Sequence, residues 1–157
     1  MRPLASQLSL MMALGLFLLA FAPSAVLAKD QLVVKQSKYS VAETLDRLTK
    51  LLKSKGITIF ARIDHETGAK KAGMELRPTQ LLIFGNPKMG TALMQANQQI
   101  GLSLPMKALA YKDKAGRVWL AYRQPADLQK AYGLMKQGRI FDKMKSALGM
   151  LTDKAVR

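Results

Sequence analysis

The 157-residue chain has no cysteine, one histidine and one tryptophan, and only 10 acidic residues against 25 lysines and arginines. Without cysteine there is no thiolate nucleophile, no disulfide framework and no thiolate metal site. A single imidazole, His65, leaves no HxxxH or HxxE spacing, so no metal is expected. No glycine fingerprint of a dinucleotide fold, no Walker loop and no Gly-x-Ser-x-Gly elbow occurs. Those absences remove most cofactor-dependent and serine-nucleophile chemistry, and no cofactor is expected. Residues after position 28 contain no apolar run long enough to span a bilayer, which takes about 20 residues.

What is present begins with a short basic start at Arg2, followed by the 13-residue apolar run Leu10–Ala22 and PSAVLA before Lys29. This pattern predicts a signal peptide over residues 1–28, with Val26 and Ala28 at the small-residue exit. A single exported α/β domain is then expected over residues 29–157, most simply in a periplasm. The formal net charge is +15, of which Arg2 contributes one. For an exported chain, nucleic acid ranks low. Small anions, envelope polymers or the surface of an anionic membrane are the partners that charge would meet.

Periodicity lays out the elements. QLVVKQS (31–37) has strand character. Ser40-x-x-Glu43 opens a helix whose apolar stripe is Val41, Thr44, Leu45, Leu48, Leu51 and Leu52, and Gly56 ends it. ITIFAR (57–62) is predicted as an interior strand, with Asp64 capping a short helix over 65–73. QLLIFG (80–85) is another strand, and Asn86-Pro87 caps and starts the next helix. Residues 105–113 and 117–123 flank a turn and form a β-hairpin. Two amphipathic helices follow, from Pro125 and after Gly138. The order β-α-β-α-β-α-β-β-α-α predicts a compact two-layer α/β sandwich with a mixed sheet and packed helices.

Chemistry concentrates in two segments. IDHETGAKK places Asp64, His65 and Glu66 at a strand-to-helix junction, where Asp64 is a structural cap and His65 a ligand contact or a general base. In the base reading, Asp64 or Glu66 orients the imidazole of a cofactor-independent hydrolase or isomerase. FGNPK combines Gly85, where backbone can approach closely, with the helix-starting Asn86-Pro87 and the positive Lys88. Such a helix start suits a carboxylate, phosphate or sulfate. On the hairpin, Arg117, Trp119 and Arg123 share one face while Val118, Leu120 and Tyr122 share the other, so Trp119 marks a dimer or surface-contact patch.

The run ARIDHETGAKKAGMELRPTQLLIFGNPKMGTALMQANQQIGLSLPMKALAYKDKAGRVWLAYRQP resembles the family of domains of unknown function numbered 302. Asp64-His65, Ala69, Gly73, Phe84 through Lys88, Gly90-Thr91, Leu104-Pro105, Lys107, Gly116 and Tyr122 carry the likeness, over residues 58–125. The resemblance implies a compact α/β domain and a homodimer. It marks Asp64, His65, Phe84, Asn86, Pro87 and Lys88 as signature positions without a catalytic role. It also implies that the His65 and FGNPK segments converge on one small-molecule or anion site. A non-catalytic envelope interaction module is the remaining expectation.

Overall fold

The computed structural model describes residues 32–157. The signal-peptide expectation falls outside the described residues. Five strands, β1 (Leu32–Ser37), β2 (Thr58–Asp64), β3 (Thr79–Gly85), β4 (Met106–Lys112) and β5 (Val118–Arg123), form one sheet in the order β1-β5-β4-β3-β2. The helices are α1 (Val41–Lys53), α2 (His65–Lys71), α3 (Pro87–Ala96), α4 (Pro125–Ala131) and α5 (Gly138–Val156). The expected α/β sandwich and the order of its main elements are both present.

Every neighbouring strand pair runs antiparallel, where mixed directions were expected. The physical reason lies in α1. It carries the chain from β1 across the sheet, so the two strands it joins sit on opposite edges and never pair. ITIFAR was expected inside the sheet. Instead β2 is an edge strand, mostly exposed, with an irregularity between Ile59 and Ala61 that leaves Phe60 half in solvent. An apolar run of strand length reads alike for an interior strand and for an edge strand that lines a cavity.

Register assigns the sheet's two faces. Phe84, Met106, Leu82, Ala108, Tyr122, Ala110 and Leu120 are opposed or diagonal partners on one face, all buried beneath helices. Over them α1 lays Val41, Thr44, Leu45, Leu48 and Leu52, and α5 adds Phe141, Leu148, Leu151 and Ala155. The helix α1 begins as its sequence predicts: the Glu43 N–H donates to Ser40 Oγ at 3.2 Å. It ends where Gly56 takes φ +68°, a conformation costly for any residue with a Cβ.

Polar side chains tie the helices to the two outer strands. Lys35 of β1 reaches under α5 and donates to Gly149 O (3.0 Å), Thr152 Oγ1 (2.7 Å) and Asp153 Oδ1 (2.8 Å). Arg62 of β2 does the same for α1, donating to Ala42 O at 3.0 Å, pairing with Asp46 and holding Gln80 Oε1. The Lys38 N–H donates to Val156 O at 3.1 Å, closing the last turn of α5 onto the β1–α1 junction. On the other sheet face Leu32, Val34 and Ile63 are exposed.

At the β4–β5 hairpin, Asp113 accepts from the Arg117 N–H (2.9 Å), Arg117 Nε (2.8 Å) and Trp119 Nε1 (2.8 Å). Foremost the indole N–H, and then the Arg117 groups, hold its carboxyl down at about 2, against some opposing desolvation. A folded-state value below the ordinary 3.8 means stability that is present above pH 4 and is lost as pH falls toward 2. The difference in thermal midpoint between the native protein and Asp113→Asn is therefore expected to narrow between pH 4 and about 2. A gap that stays constant across that range contradicts this role.

Candidate functional site

The two signature segments do not meet. In the β2–β3 pair Thr58 faces Gly85 while Asp64 faces Gln80. His65 therefore leaves one end of the pair and Asn86 the other, separated by on the order of 20 Å of strand. The expected joint site fails for a geometric reason: adjacent antiparallel strands place the end of one beside the start of the next. The twenty positions between the segments lead along a strand and away.

His65 is exposed at the first position of α2. Asp64 does act as a cap. Its Oδ1 accepts the Thr67 N–H at 3.0 Å and its Oδ2 the Gln80 amide at 3.3 Å, and the Thr67 backbone bond is the main cause of its lowered pKa. Glu66 accepts from Lys70 Nζ at 2.8 Å. The two carboxylates that were expected to orient the imidazole are thus engaged elsewhere.

The FGNPK segment has a different environment. Asn86 Oδ1 accepts the Met89 N–H at 3.2 Å, so the side chain caps α3 itself. Lys88 is exposed in the first turn of that helix. A methyl group built at Gly85 would meet Phe60 and Pro105 at 3.5 Å, ordinary contacts, so the backbone does not need a glycine there for clearance. Phe84, at 2% exposure, is part of the core as well as of a wall.

That wall belongs to a cavity of about 560 Å³. It lies where the start of β2, the end of β3, the start of α3, the Leu104–Pro105 bend and the middle of α5 surround a common space. Phe60, Phe84, Pro87, Leu93, Leu104 and Leu148 are among its apolar walls. Along α5 the lining positions 144, 147, 148 and 151 recur at helical spacing, so a whole face of that helix looks into it. The volume is in the range of small-molecule sites, roughly 300–1,000 Å³.

Of the predicted site residues, Phe84, Asn86 and Pro87 line this cavity, and His65, Asp64 and Lys88 do not. The sequence reading missed the lining from α5 and β2 because Met144, Leu148 and Leu151 resemble an ordinary core stripe. Methionine usage is the signal that could have found it. Seven methionines lie among the described residues, and Met89, Met94, Met106, Met144 and Met150 line this cavity. Unbranched, polarisable side chains conform to varied apolar shapes, and they recur at adaptable binding surfaces.

An antiparallel five-stranded sheet with helices packed across one face, and a cavity at one end, defines this molecule as a two-layer α/β sandwich. The chain belongs to the family described as "Domain of unknown function DUF302", whose model matches residues 33–151. The crystal structure of an uncharacterized conserved DUF302 protein from Bacillus stearothermophilus has the same fold, at TM-score 0.72 and 20% identity. That match covers 80% of this chain and 98% of the other.

Longer relatives also share the domain. The protein named fluoride-specific ion channel FluC 1 of Brucella suis biovar 1 is 47% identical over 114 residues, 73% of this chain and 45% of its own length. FluC 2 of Brucella melitensis biotype 1 is 47% identical over 114 residues as well, 42% of its length. The chain spans less than half the length of these relatives. Among the described residues, no helix is long and apolar enough to cross a membrane.

Proposed function

We propose that this domain binds an organic small molecule with an apolar body, in the cavity between α3 and α5, outside the cytoplasm. One observation carries the reading: about 560 Å³ of space, walled mostly by hydrophobic side chains, opens at the FGNPK segment. The space is open to solvent, so its apolar walls face water until a ligand with an apolar body covers them, and small-molecule sites are concave and mostly apolar in this way. The name of the Brucella relatives belongs to chains more than twice as long as the shared segment. An apolar lining of this kind suits an organic ligand better than a small hard anion.

Gly90 supplies the test. It lies in α3 on the lining, and a Cβ added there meets only Leu104 Cδ1, at 4.0 Å. Gly90→Phe therefore inserts a ring into the cavity without backbone strain, and replacing a helical glycine by phenylalanine favours the helix by roughly a few tenths of a kcal/mol. Titration with the fluorescent probe 11-(dansylamino)undecanoic acid is expected to show saturable binding to the native protein. The variant should bind at least about tenfold more weakly, ~1.4 kcal/mol, with thermal stability maintained. Equal affinity in both proteins would place the probe elsewhere and sink the reading.

A further inference from the structure

We infer that the cavity's occupant is an anionic single-chain amphiphile, its alkyl part between α3 and α5 and its head at Lys55 and Lys143. The inference rests on the cavity being a binding site, and it adds the charge and orientation of what binds. The lining residues include two lysines and no aspartate or glutamate. Lys55 follows α1 and Lys143 lies near the start of α5, so they reach the opening from separate elements. Both are exposed, and neither forms an ion pair with a described residue.

The same lining carries Phe60 and Met150, large hydrophobic side chains that are 51% and 48% exposed. The opening is thus apolar at its threshold and cationic at its edge. Lysine suits the second role, since its stem lies along apolar surface while its ammonium stays in water. A neutral apolar ligand would gain nothing from the lysines. A polyhydroxylated one would find only the Asn86 amide N–H groups and the Thr91 hydroxyl beside the lysines, too few partners for its hydrogen bonds against leucine, methionine and phenylalanine walls. A long alkyl chain ending in one negative group uses both parts. Such a chain is found free in solution or as the tail of a bilayer lipid.

The experiment displaces 11-(dansylamino)undecanoic acid from the full chain with submicellar dodecanoate, dodecanol or dodecyltrimethylammonium. The native protein, Gly90→Phe and the Lys55→Glu/Lys143→Glu double variant are compared, with the double variant's circular dichroism and thermal midpoint confirming its fold. Dodecanoate is expected to compete about tenfold better than dodecyltrimethylammonium, ~1.4 kcal/mol. That preference should shrink at high salt, where exposed charges are screened. In the double variant the probe, itself a carboxylate, should bind more weakly, and the order of the inhibition constants should invert while that of dodecanol is unchanged. Sedimentation with phosphatidylglycerol vesicles separates the two sources. Vesicle-dependent capture that the double variant loses points to a bilayer lipid, and displacement without vesicles to a free amphiphile; both uphold the anionic occupant. Equal competition by all three compounds, still abolished by Gly90→Phe, overturns the head-group assignment and leaves the cavity reading standing. Probe binding that Gly90→Phe does not alter overturns both.

Discussion

Leu48→Ala is expected to lower the free energy of unfolding by about 2–5 kcal/mol, measured by urea denaturation. Leu48 sits mid-way along α1, is 0% exposed, and packs in the layer formed with Leu45 and Leu52 over the sheet. Truncation removes buried methyl groups and leaves a hole that rigid strands beneath can close only in part. Against a typical total of about 5–15 kcal/mol, that is a large share. Lys50→Ala, on the exposed side of the same helix, is the matched control, expected within about 0.5 kcal/mol of the native protein. A Leu48→Ala loss below about 1 kcal/mol would mean that α1 does not hold the sheet as described.

Phe84→Ala is expected to cost about 3–5 kcal/mol and also to reshape the cavity. The ring has two roles, since it is buried in the core and also forms part of the cavity wall. Its loss joins new empty volume to the existing space, so a bulkier apolar probe should gain affinity relative to 11-(dansylamino)undecanoic acid. Stability comes from chemical denaturation and the affinity ratio from paired titrations at a temperature where the variant is folded. A large stability loss with an unchanged ratio would confine Phe84 to the core. Together with Gly90→Phe, this variant brackets the site by enlarging it on one wall and filling it from another.

The layout of the fold was legible because its signals are local. Ser40 and Asn86 both cap the helices they were expected to start, and Gly56 takes the positive φ that ends α1. The hairpin alternation put Leu120 and Tyr122 on the buried face. Strand neighbours were less accessible, because nothing within ITIFAR tells an interior position from an edge. Half of the cavity was hidden for a related reason. FGNPK could be singled out by its own chemistry, but its partners Phe60 and Met144 reach it only through the packing of β2 and α5. His65 drew attention as the one imidazole, and its place at the far end of β2 follows from strand direction, which its neighbours do not encode.

The pairing of β1 with β5 has a consequence in time. Leu32 faces Arg123 and Ser37 faces Val118, so the first strand of the sheet is completed by the last. Chains are made N-terminus first, at about 5–20 residues per second. Whether it emerges from synthesis or from export, β1 comes out well before its neighbour, while β2, β3 and β4 can already pair with one another. Non-local pairings of this kind slow folding, and the delay leaves Val33 and Val34 without the sheet they belong to. A chaperone would matter most in that interval, before the final hairpin arrives to receive the opening strand.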